Sequence, residues 1–549
     1  MVFSPKTFMR KSSQLASKLM NITGSPVPEG KRFKIEYPPD LVNDRGTIIF
    51  PHMRGSEYLL TFECMLASRL TLEGYKVVFL ACTGLPICSN MMHSDGEDKS
   101  LLCSTCRKFT KDFVRRFGFD VFDVDDFLET AERKRLMDDP ALSGPGDIRE
   151  IRYKGLDLLD LTEVSVSREL CSDALSKINE KNVQTLWKEY IKGAVVLYEA
   201  YTRVLDRIKP DIVILPNGGF YWYSVMVKAA EDKRIRYVTY ESDFRPGGCG
   251  DGGSWYFKNR GKVYEGDFHD VWDDLRDLDL TPAQDEDLTK FLTGKERDSI
   301  YHPHPTDDID SICTLLGLDR QKPIVTFFPN LTWDSTAVGR RTIFPSIFEW
   351  LDKSIEHLWG KDVNVVVRVH PAEKMVFEGD RTKDKVEDYL KQDKFEDMRN
   401  LYVVGSESDI SSYSLIDTSK VVVVYTSTVG LEAVIRGKPV LFCGKSKDID
   451  YGFGYIPKSQ QEYYGLLDKA DMLVTTTQQV KAARKWAYIY NFILPIPLQL
   501  FDVSGQFEVS KYLVSSVSGL KKGKNTYLDP LVDDILNNRP IYNRFLTVK

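Results

Sequence analysis

Four consecutive valines, Val421–Val424, run into Tyr425-Thr426-Ser427-Thr428 and constrain the fold more than any other stretch. An uninterrupted β-branched run has no polar face to offer water, so it reads as a strand buried on both sides, the habit of parallel sheets covered by helices. Val429-Gly430-Leu431-Glu432-Ala433 then reads as a helix ending at Gly437-Lys438-Pro439, with residues 439–443 as the next strand. Between them the hydroxyls of Ser427 and Thr428 fall at a helix N-terminus, where free backbone N–H groups and the helix dipole favour an anion such as a phosphate. Plain capping of the helix by the same hydroxyls is the alternative reading.

A chain of 549 residues is too long for one core, so at least two domains are expected. With 42% hydrophobic and 28% charged residues it has the composition of a folded globular protein. Lys and Arg number 74 against 80 Asp and Glu, a net charge of -6, which gives no support to a general nucleic-acid binder. No run of about 18 apolar residues is present to span a bilayer, and the N-terminus lacks the compact apolar core of a secretory signal. The expected location is the cytoplasm. Residues 1–22 set Lys6, Arg10, Lys11 and Lys18 among Phe3, Phe8, Met9, Leu15, Leu19 and Met20, a pattern suited to lying on the inner membrane face as an amphipathic helix. A frayed or core-docked terminus is the alternative.

Nine cysteines is an odd count, which argues against a disulfide framework. Cys82, Cys88, Cys103 and Cys106 nevertheless fall in one short span with His93 between them, and Cys103-Ser104-Thr105-Cys106 is a C-x-x-C pair. Such a pair supplies two thiolates to a structural Zn2+, with Cys88 plus Cys82 or His93 completing a tetrahedron. Reduced thiols that simply pack are the alternative.

Apolar strands alternate with helical stretches twice. The first series is 47–50, 77–81, 212–215 and 237–240, with a helix near 223–233; the second is Ile324–Phe328, 363–369, Leu401–Val404, Val421–Val424 and Val440–Phe442. Each indicates an α/β parallel sheet. Residues 298–321, with Tyr301-His302-Pro303-His304-Pro305, break the rhythm and read as a linker. Ligands of open α/β sheets gather at the carboxyl ends of the strands, and those ends are polar here. The first series ends in His52 and Arg54, Asn217-Gly218-Gly219, and Glu241-Ser242-Asp243; the second in Asn330 with Trp333-Asp334, His370-Pro371, and Ser427-Thr428.

Four stretches in order resemble the donor half of a GT-B glycosyltransferase. They are Phe327-Phe328-Pro329-Asn330-Leu331-Thr332-Trp333-Asp334, Val367-Arg368-Val369-His370-Pro371-Ala372-Glu373, Tyr425-Thr426-Ser427-Thr428-Val429-Gly430-Leu431-Glu432-Ala433 and Gly437-Lys438-Pro439-Val440. The set is similar to the capsule polysaccharide biosynthesis group, which includes Kdo transferases, and shares its His-Pro and Ser/Thr motifs with bacterial sialyltransferases. The resemblance spans roughly residues 200–455. It implies two Rossmann-like domains facing a cleft, with a C-terminal helix crossing back. The expected division is an N-terminal amphipathic or flexible segment 1–30, an acceptor domain 31–297 with a helical, cysteine-containing insertion, the linker, a nucleotide-sugar domain 322–476, and a crossing helix and tail 477–549. In the family the His-Pro and Ser/Thr motifs hold the donor nucleotide and its phosphate, which implies His370, Ser427 and Thr428 here.

The chemistry asks for the same parts. Sugar transfer needs a general base for the acceptor hydroxyl and preset donors for the departing phosphate. Glu241 or Asp243 is the expected base, while His370, Arg368 and the Ser427-Thr428 helix end hold the phosphate. Asn330, Trp333, Asp334, Pro371, Gly430 and Glu432 complete the expected donor site, with Glu432 placed for a ribose hydroxyl. His52, Arg54, Asn217, Gly218 and Gly219 form the expected acceptor side. For the last three a tight turn is the alternative. The expected activity is transfer of a sugar from a CMP-, UDP- or GDP-linked donor to a capsule, polysaccharide or glycolipid acceptor. A CDP-linked polyol-phosphate transferase, a GT-B-shaped sugar-phosphate epimerase and a non-catalytic scaffold are the competing readings.

Overall fold

The structure is a computed structural model that describes residues 29–53, 55–82, 99–143, 146–243, 253–297, 308–374, 382–504 and 508–546. The chain divides into two compact units: unit 1 comprises Met1–Val166, Ile178–Asp267 and Asn491–Thr547, and unit 2 comprises Ser167–Lys177 and Phe268–Tyr490 with the last two residues. Both are α/β, each built on one mainly or wholly parallel sheet. Among the described residues no helix is long and apolar enough to cross a membrane.

The larger sheet of unit 1 has seven strands, β1 (Gly46–His52), β2 (Tyr75–Ala81), β3 (Asp120–Asp123), β4 (Ile212–Pro216), β5 (Arg236–Ser242), β6 (Ser254–Asn259) and β12 (Ile496–Pro497), in the order β12-β6-β5-β4-β1-β2-β3. β1 to β5 are mutually parallel, β6 runs antiparallel to β5, and β12 pairs antiparallel with β6 through Ile496 and Trp255. Helix Glu57–Leu72 starts where the Ser56 side chain accepts the Leu59 N–H. Its apolar face lies in one buried cluster with Phe50, Phe79, Tyr240 and Trp255.

Unit 2 carries β7 (Ile324–Phe328), β8 (Asn364–Arg368), β9 (Leu401–Val404), β10 (Val421–Val424) and β11 (Val440–Phe442), all parallel, in the order β11-β10-β7-β8-β9. All four valines of β10 are fully buried, as a strand covered on both faces requires. The helix after it, Val429–Ile435, closes with the Gly437 N–H on the Val434 carbonyl and the Lys438 N–H on the Ala433 carbonyl, a Schellman ending in which Gly437 takes φ 76°.

Three expectations are modified. Within the expected linker, Ile309–Leu316 is a helix, capped by the Asp308 carboxylate on the Ser311 N–H and ended by left-handed Gly317; residues 298–307 lie outside the described set. The long segment of unit 2 begins at Phe268, ahead of that linker, because Trp272 packs edge-on against Trp486 and Arg484 pairs with Asp285, all within unit 2. The expected crossing helix, Thr477–Tyr488, also packs inside unit 2, its Trp486 ring stacked 3.8 Å from Tyr451 and its indole N–H donating to Asp448. It is the chain after it, from Asn491, that belongs to unit 1. The expected amphipathic segment 1–22 lies outside the described residues.

Candidate functional site

In unit 2 the winding reverses between β7 and β10, the place where open α/β sheets hold ligands. Asn330, just past β7, ties the two strand ends together. Its Nδ2 donates to Thr426 Oγ1 at 3.3 Å and Thr336 Oγ1 at 3.0 Å, and its Oδ1 accepts the Leu331 N–H at 2.8 Å. Asp334 folds the next turn by accepting the N–H and hydroxyl of Thr336, both at 2.7 Å. Trp333 is largely buried: its indole N–H donates to Thr382 at 2.9 Å, the Arg168 guanidinium lies 4.5 Å from its ring, and Cys171 and Leu331 pack beside it. It shapes the loop rather than offering an open stacking face.

His370 follows β8. Its Nδ1 accepts the Ala372 N–H at 3.1 Å, which leaves the ring hydrogen of the neutral imidazole on Nε2. Burial lowers its pKa to about 4, with nearby Asp334 opposing the shift and Arg368 adding to it, so the ring is neutral at physiological pH. His370 is therefore arranged as an N–H donor rather than a base. Pro371 opens the 3-10 turn Pro371–Lys374.

The expected phosphate role of Arg368 is not what the geometry favours. Its side chain is 1% exposed and donates to the carbonyls of Val404, Gly405 and Ser408, closing the loop after β9. Burial lowers its pKa to about 10.

Ser427 accepts the Val429 N–H at 3.3 Å and so caps the helix that follows, whereas Thr428 is exposed and its side chain makes no capping bond. Gly430 has a packing reason: a Cβ there would stand 2.6 Å from the Phe442 ring and 3.0 Å from Val424. Glu432 is half-buried on the same helix.

Unit 1 gathers a second polar set at the carboxyl ends of β1, β4 and β5. His52 is 1% exposed and its Nδ1 lies 2.6 Å from Glu63 Oε2, while the Tyr240 hydroxyl donates to Glu63 Oε1. Asn217, at φ 21°, donates from Nδ2 to Glu241 Oε2 at 2.9 Å and accepts the Gly219 N–H at 2.9 Å. Glu241 Oε1 accepts the Ser242 N–H at 3.2 Å, and the Ser242 and Tyr58 hydroxyls are 2.5 Å apart. Asp243 is 5% exposed and its N–H bonds the Ser254 carbonyl. The close approach at Gly218 and Gly219 is met by the chain itself, since a Cβ would stand 3.0 Å from Lys262 and from Tyr264 respectively. These glycines thus serve the turn. Arg54 lies outside the described residues.

Of the cysteine cluster, Cys88 and His93 also lie outside the described residues. Cys103 and Cys106 share helix Lys99–Arg116, and Cys106 Sγ accepts the Gly55 N–H at 3.0 Å. Among the described residues no group of three His, Cys, Asp or Glu is placed to hold a metal ion.

Four residues at these sites escaped the sequence reading: Thr426, Glu373, Glu63 and Tyr240. Glu373 is 1% exposed and accepts the Val386 N–H at 3.0 Å, and burial raises its pKa to about 7. Glu63 had a readable signal, a carboxylate inside the apolar run Tyr58-Leu59-Leu60-Thr61-Phe62-Glu63-Cys64-Met65-Leu66.

Solved structures with a related outline include two transferases of Thermosulfurimonas dismutans KpsC. Its beta Kdo 2,7 transferase matches at 15% identity and a TM-score of 0.31, covering 62% of this chain and 89% of that one. Its beta Kdo 2,4 transferase matches at 14% and 0.33, covering 57% and 87%. The UDP-GlcNAc 2-epimerase of Neisseria meningitidis matches at 10% and 0.25, covering 80% and 98%. No curated protein is significantly similar in sequence. Residues 316–447, which hold every strand of the unit 2 sheet and its candidate site, match the family model described as capsule polysaccharide biosynthesis protein.

Proposed function

We propose that the chain is a glycosyltransferase that moves a sugar from a nucleotide-activated donor to a glycan acceptor. Unit 2 holds the donor nucleotide and unit 1 the acceptor. The observation that carries this is the edge of the unit 2 sheet at its switch point. There Asn330 locks the ends of β7 and β10, and the adjacent strand presents a neutral His370 whose hydrogen sits on Nε2. A fixed N–H donor that needs no reorganisation is what a departing phosphate requires. The match of residues 316–447 to the capsule polysaccharide biosynthesis family supports the same reading.

The test is incubation with CMP-, UDP- and GDP-linked sugars, with and without a capsular oligosaccharide, following the free nucleotide chromatographically. Acceptor-dependent release from one donor is expected. Release that needs no acceptor and leaves an epimerised sugar, or no release from any donor, overturns the proposal.

A further inference from the structure

We propose that His52 takes the hydroxyl proton of the acceptor, with Glu63 and Tyr240 as its positioning residues; the inference rests on the glycosyltransferase reading above. All three side chains are at most 1% exposed. Burial, reinforced by Glu63, holds the Tyr240 hydroxyl well above its ordinary pKa, so it stays protonated and donates to Glu63 Oε1. An ionised carboxylate only accepts, so the 2.6 Å contact between Glu63 Oε2 and His52 Nδ1 places the ring hydrogen on Nδ1. The lone pair of the neutral ring is then on Nε2.

That Nε2 is buried and, among the described residues, has no hydrogen-bond partner. A buried polar atom left unpaired is costly, and such an exception calls for a reason such as a water or ligand group. Its place points to the ligand: His52 ends β1, and the unit 1 sheet reverses its winding between β1 and β4. A carboxylate on Nδ1 fixes the tautomer and stabilises the imidazolium, the logic by which a histidine becomes a general base. Glu241, the expected base, instead has Oε2 engaged by Asn217 and Oε1 by Ser242. Among the described residues, the other titratable groups beside this network include Tyr223 and Glu241, near Tyr240, and the Cys64 thiol, near Glu63.

In the step, the acceptor oxygen bonds to the anomeric carbon while that carbon's bond to the donor phosphate oxygen breaks, the electron pair leaving on the phosphate. The hydroxyl proton passes to Nε2, and the imidazolium later releases it to water.

Two measurements test this. In wild-type protein labelled with 15N-histidine, the His52 resonance, assigned among seven histidines by loss in His52→Gln, should show a bare Nε2 and a protonated Nδ1 at pH 8. A hydrogen on Nε2 overturns the inference whatever the activity. In the nucleotide-release assay, His52→Gln should lower kcat at least about 100-fold with donor KM nearly unchanged. Glu63→Gln should lower kcat less and move the acidic limb of the pH profile to lower pH, which a purely structural role does not do. Wild-type turnover that His52→Gln retains overturns this inference alone; absence of turnover in wild-type protein overturns the glycosyltransferase reading with it.

Discussion

His370 Nδ1 accepts the backbone N–H of Ala372 at 3.1 Å, so the strand end after β8 presents Nε2–H as its donor. With burial lowering the pKa to about 4, the ring is neutral across physiological pH. Replacing it removes one hydrogen bond to a charged group, worth about 1.5–3 kcal/mol, or roughly a tenfold to hundredfold loss in nucleotide affinity. His370→Ala should show that loss by calorimetric titration with the donor nucleotide, and the loss should be the same at pH 6 and pH 8 because the ring is neutral at both. Unchanged affinity in the variant would remove His370 from the donor site.

Ser427 and Thr428 separate capping from binding. Ser427 holds the Val429 N–H, so Ser427→Ala should lower stability by about 1 kcal/mol through loss of a cap. Thr428 is exposed and caps nothing, so Thr428→Ala should leave the thermal midpoint nearly unchanged. If it faces the donor phosphate, nucleotide affinity falls all the same. Thr428→Ala with unaltered affinity and stability would assign no role to the hydroxyl.

Gly430 tests how closely the helix lies on its strands. A methyl group there would meet the Phe442 ring at 2.6 Å, in a core where Val424 and Phe442 are already at most 1% exposed. Overpacking of this kind costs about 1–3 kcal/mol. Gly430→Ala should therefore lower the urea midpoint, and a midpoint equal to wild type would show that the helix can shift without loss.

The parts of the fold that were most legible are the continuous apolar runs, including β9, Leu401–Val404, three of whose four residues are only half-buried. β7, β10 and β11 can be read directly because Ile324–Phe328, Val421–Val424 and Val440–Phe442 are unbroken apolar runs. β3 escaped because Asp120-Val121-Phe122-Asp123 is a short edge strand, partly exposed and bounded by carboxylates. β12 escaped because Ile496–Pro497 is two residues long and contains a proline, which sheets tolerate at an edge. At the site, position along the chain identified the strand ends but not the direction of the side chains. Arg368 belongs to the His-Pro motif yet turns to backbone carbonyls, and His52 could not be joined to Glu63 and Tyr240 without knowing that Glu57–Leu72 packs against the sheet of β1 and β5.

Glu373 and His370 share one motif and pull stability in opposite directions with pH. Glu373 carries a folded pKa of about 7 against an ordinary 4.5, so between those values the native state binds the extra proton and stability falls as pH rises. His370 has a folded pKa of about 4 against 6.5, so there the unfolded state binds the extra proton and stability falls as pH drops. From 4.5 to 6.5 the two largely cancel; at pH 8 the histidine contributes nothing further and the cost of ionising the buried carboxyl is fully present. Glu373→Gln keeps an oxygen for the Val386 N–H and removes that cost. Relative to wild type, the variant should gain about 2–3 kcal/mol between pH 5 and pH 8, most of the effect of a rise from 4.5 to about 7. Urea unfolding of both proteins at the two pH values measures it. A difference that is the same at pH 5 and pH 8 would mean that Glu373 does not ionise against a burial penalty in the folded chain.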